Sequence, residues 1–252
     1  MGRVIAIANQ KGGVGKTTTT VNLGACLAES GNRVLVVDLD PQGNATSGLG
    51  FSKNDQESTL YDALMNDVPL LQCIRSTEVP HLYLVASNKD LAGAEVELVG
   101  ESRREYRLQS LLAEMQNAYD FILIDCPPSL SLLTVNGLVA AGSVLITLQC
   151  EYYALEGLSE LLQTIILVRD NLNPRLRLEG VLLTMYQRTN LSKQVVDDVR
   201  EHLGDKVYRT IIPRNVTLSE APSFGKPVIL YDRGSAGAQA YLLLADEVAG
   251  RG

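Results

Sequence analysis

Short runs of apolar residues alternate along the chain with longer segments in which apolar residues recur every three or four positions. Runs of the first kind are typical of buried strands, and segments of the second kind are typical of helices. The predicted strands cover residues 4–8, 33–38, 81–86, 121–125, 143–148, 178–184 and 207–212. The predicted helices cover residues 17–29, 60–65, 69–77, 92–98, 106–118, 132–141, 155–172, 191–203 and 236–249, and residues 39–50 and 213–225 are predicted loops. This alternation predicts an α/β fold, with a mostly parallel twisted sheet and helices on both faces.

The composition limits the class of protein. The 252 residues are enough for one large α/β domain, and we expect a single domain over residues 1–252. The formal net charge is −7, so any contact with nucleic acid has to come from a local basic face. No basic and apolar leader opens the sequence, and no apolar run approaches the roughly 20 residues of a transmembrane helix. We therefore expect a cytoplasmic protein.

A glycine-rich stretch lies between the first predicted strand and the first predicted helix. Residues 10–18 read Gln-Lys-Gly-Gly-Val-Gly-Lys-Thr-Thr. This setting is typical of a phosphate-binding loop, because glycines let several backbone N–H groups converge on one anion and the helix adds its positive end. Lys16 can reach the β- and γ-phosphates, and the Thr17 hydroxyl can bind Mg²⁺. The predicted nucleotide contacts on this stretch are Lys11, Gly12, Gly13, Val14, Gly15, Lys16, Thr17 and Thr18.

Three aspartates follow predicted strands. Asp125 ends the strand 121–125, where a carboxylate can hold a magnesium-bound water opposite Thr17. Asp38 and Asp40 lie at the end of the strand 33–38, and side-chain alternation places them on the same side. One oriented carboxylate can align the attacking water in phosphoryl transfer, and we predict that role for Asp40. Asp38 is predicted to join Thr17 and Asp125 in the magnesium and lysine network.

The loop resembles the deviant Walker A loop of the ParA, MinD, nitrogenase iron-protein and arsenite-pump ATPases. Over nearly the whole chain, the sequence is similar to chromosomal ParA proteins of the Soj type, on segments 9–20, 37–50, 124–130, 149–157 and 212–227. The resemblance implies an ATP hydrolase that uses ATP and Mg²⁺ and buries ATP between the two subunits of a homodimer. It implies that Lys11 reaches the other subunit's site and acts in catalysis with Lys16. It also implies that Asp40 is the hydrolytic aspartate and that Pro213 and Asn215 hold the adenine.

The resemblance further implies macromolecular partners. Family members bind double-stranded DNA without sequence preference, through basic residues near the carboxyl-terminal face. The candidates in this chain are Arg188, Lys193, Arg200, Arg214, Lys226 and Arg233. Thr217 stands where relatives carry an arginine. A ParB-like centromere-binding protein is the implied activator of hydrolysis, and the nucleoid is the implied location. Tyr152 and Tyr153 are expected to pack or to line the dimer contact.

Other functions share part of this pattern. A MinD-like membrane ATPase should end in a basic amphipathic helix, whereas the tail contains Asp246 and Glu247 and only Arg251 near its end, so we expect no membrane partner. A nitrogenase-reductase-like electron carrier needs paired cysteines, and position 128 is proline. The four cysteines lack metal-site spacing and predict buried free thiols. A scaffold without turnover is disfavoured by Asp40. The alternative function is a MinD-like or other cargo-positioning ATPase that does not act on chromosomes.

Overall fold

A single sheet organises the fold. The computed structural model describes residues 2–54, 57–151 and 154–251. Within these ranges the sheet has eight strands in the order β3-β4-β2-β5-β1-β6-β7-β8, all parallel except the short edge strand β3. The strands are β1 (Arg3–Ala8), β2 (Val34–Asp38), β3 (Ile74–Ser76), β4 (Leu82–Val85), β5 (Phe121–Asp125), β6 (Ser143–Gln149), β7 (Arg177–Tyr186) and β8 (Val207–Pro213). The predicted α/β fold with a mostly parallel sheet is confirmed. Tyr152 and Tyr153 lie outside the described residues.

Helices cover both faces of this sheet. They are α1 (Lys16–Glu29), α2 (Asn44–Gly48), α3 (Leu60–Met65), α4 (Leu91–Glu97), α5 (Arg107–Ala113), α6 (Leu132–Ala140), α7 (Ala154–Asn171), α8 (Asn190–Leu203), α9 (Val216–Glu220), α10 (Val228–Tyr231) and α11 (Ala236–Gly250). Buried residues of α3 to α8 join one hydrophobic core, and those of α1, α2, α9, α10 and α11 join a second core. The helices thus form one layer on each side of the sheet.

Strand β1 shows why the parallel strands are apolar throughout. Val4, Ala6 and Ala8 belong to one core, whereas Ile5 and Ile7 belong to the other. Side chains alternate between the two faces of a strand, so a strand covered on both faces needs an apolar residue at every position. The four cysteines are buried and free, as the sequence predicts.

Some predicted elements are wrong. Residues 69–77, predicted as a helix, form a 3₁₀ turn at Leu70–Cys73 and then strand β3, which pairs with the edge of β4. The predicted helix 106–118 is helical only over Arg107–Ala113. The predicted loop 39–50 contains helix α2, and helix α10 lies in a part of the chain for which the sequence predicts no helix. These elements are too short to show a periodic apolar pattern.

The carboxyl ends of three neighbouring strands meet at the middle of the sheet. Strand β1 lies between β5 and β6, and β5 lies between β1 and β2. Asp38 ends β2 and Asp125 ends β5, and the two residues are direct neighbours across the sheet. The glycine-rich loop follows β1. Open parallel sheets bind ligands at this kind of position, where the strand order reverses direction.

Candidate active site

The glycine-rich loop has the backbone geometry of an anion cradle. Gly13 and Gly15 have φ angles of +72° and +89°, in the left-handed region that other residues rarely adopt. Gly15 is also the N-cap residue of α1, and no side chain caps this helix. The first N–H groups of a helix have no intrahelical acceptor, so the start of α1 offers them to an anion together with the helix dipole.

Two side chains, Asn9 just after β1 and Thr184 of β7, hold this loop in place. The Asn9 amide donates to the Thr147 carbonyl at 2.6 Å, and Asn9 Oδ1 accepts from the Lys11 N–H at 2.9 Å. The Thr184 hydroxyl donates to the Val14 carbonyl at 2.9 Å. The sequence alone does not reveal these two anchors, because a polar residue at the end of a strand carries no local signal of the loop that it supports.

Lys16 is buried beside the loop, with 6% of its surface exposed. Its Nζ donates to the Lys11 carbonyl at 3.1 Å, so the side chain turns back across the loop. Burial lowers the pKa of Lys16, and the negative charges of Asp125 and Asp40 partly oppose that shift. A cation is therefore held at the mouth of the loop, where phosphate oxygens can bind it.

Lys11 has the opposite surroundings. Its side chain is half exposed, and its Nζ forms an ion pair with Glu151 Oε2 at 2.9 Å. The Gln149 side-chain amide donates to the other oxygen of the same carboxylate at 2.5 Å. Lys11 thus supplies its carbonyl to its own loop through Lys16, whereas its charge lies outside that loop.

Asp125 is a fully buried carboxylate beside the first turn of α1. Its Oδ2 accepts from the Thr17 hydroxyl at 2.7 Å, and its Oδ1 accepts from the Thr20 hydroxyl at 3.0 Å. Burial raises the pKa of Asp125, and the neighbouring Asp38 raises it further. Thr20 was not predicted, although Thr17 and Thr20 are three positions apart and such residues share one face of a helix.

The residues predicted to bind a metal supply oxygen atoms, which are the ligands that magnesium prefers. The Thr17 hydroxyl and the Asp125 carboxylate are hard oxygen donors in direct contact, and Asp38 is the next carboxylate across the sheet. In the described part of the chain, no group of three or more His, Cys, Asp or Glu side chains is arranged to bind a metal. Magnesium usually takes only one or two protein oxygens together with substrate phosphates and water, so this donor set is sufficient.

Asp38 and Asp40 are in hydrogen-bond contact at the end of β2, and Asp38 makes further contacts that the sequence does not show. Asp38 Oδ2 accepts from both the N–H and the hydroxyl of Thr46 at 2.8 Å, and Oδ1 accepts from the Asp40 N–H at 3.3 Å. Burial raises the pKa of Asp38 against these hydrogen bonds. Asp40 has 7% of its surface exposed, and its Oδ1 accepts from the Gln42 N–H at 2.9 Å. Asp38 therefore fixes the start of α2 and the Asp40 backbone.

A cavity of 340 Å³ opens directly from the loop. It is lined by Gly15, Thr18, Thr184, Met185, Ile212, Pro213, Arg214, Asn215, Leu218, Ser219, Pro222 and Tyr241. Pro213 and Asn215 thus lie beside the phosphate loop. Asn215 also caps α9, with its Oδ1 accepting from the Leu218 N–H at 3.3 Å. Met185, which was not predicted, has a φ of +51°, and such strained non-glycine backbone clusters at ligand sites.

The structure places the six predicted DNA residues in different surroundings. Arg188, Lys193 and Arg214 are exposed near the carboxyl ends of β7 and β8. Lys226 forms an ion pair with Glu78 at 3.4 Å, and Arg233 forms one with Glu29. Arg200 donates to the carbonyl of Arg209, near the start of β8. A seven-residue strand is about 20 Å long, so Arg200 and Arg214 lie at opposite ends of β8.

Comparison with known proteins identifies the family. A family model described as an AAA domain matches residues 2–178. The chain is 60% identical to the sporulation initiation inhibitor protein Soj of Bacillus subtilis over 100% of both chains. It is 56% identical to the chromosome partitioning protein ParA of Caulobacter vibrioides, over 99% of this chain and 94% of the relative. The chain belongs to the Soj and ParA family of chromosome-partitioning proteins.

Solved structures of other nucleotide-binding proteins share this fold. A crystal structure of cobyrinic acid a,c-diamide synthase from Mycobacterium smegmatis with bound ADP and magnesium is 41% identical, with a TM-score of 0.87 over 99% of this chain and 94% of the other. The cell division ATPase MinD of Pyrococcus furiosus is 29% identical, with a TM-score of 0.83 over 100% of both chains. Among the helices of this Soj- and ParA-like chain that the structure describes, none has the length and apolar character to cross a bilayer.

Proposed function

We propose that this protein is a magnesium-dependent ATPase of DNA partitioning that dimerises on ATP, binds DNA without sequence preference and is released after hydrolysis. One observation carries the proposal. The buried Lys16 lies across the glycine loop, and Thr17, on the following turn of helix, contacts Asp125 at the end of β5. This arrangement of residues is suited to binding the β- and γ-phosphates of a nucleoside triphosphate.

The residues of the site have separate roles in this proposal. Backbone N–H groups from Gly12 to Thr18 bind phosphate oxygens, and Lys16 balances their charge. Thr17 and Asp125 would hold Mg²⁺, with Asp38 behind them, and the ion supplies neutralisation of charge on the phosphates. Asp40 accepts a hydrogen bond from the attacking water and aligns it with the γ-phosphate. The cavity beside Pro213 and Asn215 takes the adenine.

The position of Lys11 supports the dimer. Its carbonyl belongs to its own loop, but its charged end is turned to the surface towards Glu151. A lysine in this position is able to reach a nucleotide bound by a second subunit, as arginine fingers do in other phosphoryl-transfer enzymes. ATP would then stabilise the dimer by mass action, since only two subunits together complete the site.

The proposed partners follow from the family. The relatives in Bacillus subtilis and Caulobacter vibrioides are named for sporulation control and chromosome partitioning. We assign the DNA contact to the exposed Arg188, Lys193 and Arg214, and the stimulation of hydrolysis to a ParB-like centromere-binding protein. The 41% identity to the diamide synthase is lower than the 60% identity to Soj, so we favour partitioning over amide synthesis.

The test is ATP turnover and DNA retention. Phosphate release is measured with Mg²⁺ and non-specific double-stranded DNA, for the native chain and for Asp40→Ala, with Lys206→Gln, at an exposed position just before β8, as a surface control. We expect Asp40→Ala to lose about 100-fold or more in kcat while its affinity for a fluorescent ATP analogue changes less than about 3-fold. The native chain should be retained on DNA in ATP and not in ADP. Absence of phosphate release from the native chain, or equal retention in both nucleotides, would overturn the proposal.

The similarity to MinD favours a second candidate function, that of a cargo-positioning ATPase that does not act on DNA. Its support is the full coverage and the TM-score of 0.83 with the Pyrococcus furiosus protein. Co-sedimentation separates the two functions. ATP-dependent pelleting with DNA and not with anionic lipid vesicles favours partitioning, and the reverse result favours the MinD-like function.

A further inference from the structure

Two buried hydroxyl groups join the ends of neighbouring strands directly behind Asp40. Ser87 follows β4, and Thr46 is the third residue of α2; the side chains of both are fully buried. Strand β4 pairs with β2, with Val85 opposite Val37, so the chain beyond β4 runs beside the chain that leads to Asp40. Neither hydroxyl belongs to the phosphate loop or to the adenine cavity.

These hydroxyl groups form a closed set of hydrogen bonds. The Thr46 hydroxyl donates to Asp38 Oδ2 at 2.8 Å and accepts from the Ser87 N–H at 2.9 Å. The Ser87 hydroxyl donates to the Asp40 carbonyl at 2.7 Å, and the Asp40 N–H donates back to Asp38 Oδ1 at 3.3 Å. Each hydroxyl hydrogen is thus used, and the chain of contacts returns to its starting carboxylate.

The set fixes Asp40 on both sides of its Cα atom. Asp38 binds its N–H, and Ser87 together with the Gly43 N–H, at 2.8 Å, binds its carbonyl. The Asp40 side chain accepts a hydrogen bond from the Gln42 N–H at Oδ1. With the backbone held, the direction of the carboxylate is determined by few remaining torsions, and hydrogen bonds in a buried site are stronger than those at the surface.

We propose that Ser87 is a positioning residue for hydrolysis, which acts through the Asp40 carbonyl, with Thr46 as the link to Asp38. This inference rests on the proposed function, in which Asp40 aligns the attacking water. Ser87 itself contacts neither the loop nor the cavity, so it should affect the chemical step and leave nucleotide binding unchanged. A displacement of about 1 Å at a reacting group can cost on the order of 100-fold in rate, and one lost hydrogen bond behind Asp40 can produce a displacement of this kind.

The test compares Ser87→Ala with Ser87→Thr, which keeps the hydroxyl. We expect Ser87→Ala to lower kcat about 10-fold to 100-fold with KM for ATP changed less than about 2-fold. Ser87→Thr should recover most of the loss. The matched control is Ser143→Ala, which removes a buried serine hydroxyl from the start of β6, at the opposite end of the sheet, and should leave kcat unchanged.

Folding should survive the change, because the Asp40 carbonyl keeps its bond from Gly43. If Ser87→Ala does not fold, Ser87→Cys replaces it, with a weaker donor of similar size and an intermediate expected loss. A native kcat in the alanine or cysteine variant overturns the inference and leaves the proposed function intact. An equal change in kcat and ATP affinity also overturns it, since that result is typical of a purely structural role. If the native chain hydrolyses no ATP, the proposed function and this inference both fail.

Discussion

The two lysines that flank the glycine loop differ in their surroundings. Lys16 is buried, its Nζ contacts the Lys11 carbonyl of its own loop, and burial lowers its pKa. Lys11 is half exposed and forms an ion pair with Glu151. Exposed ion pairs contribute only about 0.2–1 kcal/mol, so Glu151 can release Lys11 at little cost. One lysine therefore serves its own loop, and the other is able to serve a second subunit.

Lys11→Ala should abolish ATP-dependent dimers while the monomer still binds ATP. The comparison is made in an Asp40→Ala background, so that the triphosphate persists, and sedimentation velocity reports the state of association. Glu151→Gln is the control: it frees Lys11, and we expect dimers that are equally stable or up to about 5-fold tighter. Persistent dimers of Lys11→Ala in ATP would show that this lysine does not act across an interface.

The buried carboxyl groups make the stability of the nucleotide-free protein depend on pH. Burial raises the pKa of Asp38 from 3.8 to about 6 and that of Asp125 from 3.8 to about 8. The folded state then holds protons that the unfolded state releases, so the free energy of unfolding should fall as pH rises from about 4 to about 8. This stabilisation is complete below the unfolded pKa and is lost above the folded one.

Asp125→Asn should remove much of this pH dependence. Asparagine is similar in size, can still accept a hydrogen bond from Thr17 and carries no charge to bury. The measurement is urea unfolding without nucleotide or magnesium. As pH rises from 5 to 8, we expect the free energy of unfolding of the variant to increase by on the order of 1–3 kcal/mol relative to that of the native chain. Asp246→Asn, at an exposed position of α11, is the control. Parallel pH curves for Asp125→Asn and the native chain would contradict the explanation.

At the scale of elements, the sheet was predictable and several short helices were not. Strands such as β1 and β5 are buried on both faces, so they stand out as apolar runs. Helix α2 has only five residues, and its position depends on Asp38 accepting two hydrogen bonds from Thr46, eight positions away. Hydrophobic periodicity reports long helices packed on a sheet, and it does not report a turn of helix formed by a buried carboxylate.

The same distinction applies to the site. Lys16, Thr17 and Asp125 lie in short motifs next to predicted strands, and the structure brings Thr17 and Asp125 into contact. Ser87 reaches Asp40 across 47 positions of sequence, through the pairing of β4 with β2. Nothing in the residues around Ser87 distinguishes it from an ordinary loop serine. A residue that supports a functional group across the fold can therefore be identified only from the structure.

Helix α2 and the 3₁₀ turn Ala221–Phe224 meet at two glycines with left-handed backbone. Gly225 has a φ of +62°, and a Cβ atom there would lie 2.8 Å from the Gly50 Cα atom. Gly31 has a φ of +91° with open space around the corresponding Cβ position. Gly31 and Gly225 both adopt a left-handed backbone conformation, but only at Gly225 would a Cβ atom also collide with a neighbouring residue. This contact joins the segment that contains Asp40 to the segment that lines the cavity beside Pro213 and Asn215.

Gly225→Ala should therefore destabilise the protein more than Gly31→Ala does. We expect the free energy of unfolding to fall by about 1 kcal/mol for Gly31→Ala, from the strained φ alone. For Gly225→Ala we expect a fall of about 2–4 kcal/mol, because the backbone also has to move. Urea unfolding monitored by circular dichroism gives both values. Equal losses would mean that the two segments separate easily and that the close approach of the glycines contributes nothing.

At the scale of the whole molecule, a net charge of −7 is combined with exposed cations at one end of the sheet. Arg188, Lys193 and Arg214 lie near the carboxyl ends of β7 and β8, the end at which the phosphate loop also lies. Lys226 and Arg233 are already paired with Glu78 and Glu29. In the proposed ATP-bound dimer, both subunits would contribute their exposed cations, so the proposed affinity for DNA would depend on nucleotide through assembly.

The salt dependence of DNA binding tests this distribution of charge. The logarithm of the binding constant falls linearly with the logarithm of salt concentration, by about 0.9 for each phosphate neutralised. Replacing Arg188, Lys193 and Arg214 by glutamine removes three cations from each subunit, so the slope should become shallower by up to about 5 in the dimer. The double variant Lys226→Gln and Arg233→Gln should change the slope by less than about 1, because these charges are already paired. Arg214 lines the cavity proposed for adenine, so ATP affinity is measured in parallel, and DNA binding is compared only at saturating ATP. If the triple and the double variant make the slope shallower by the same amount, DNA binding depends on the total charge of the protein and not on the cations at this end of the sheet.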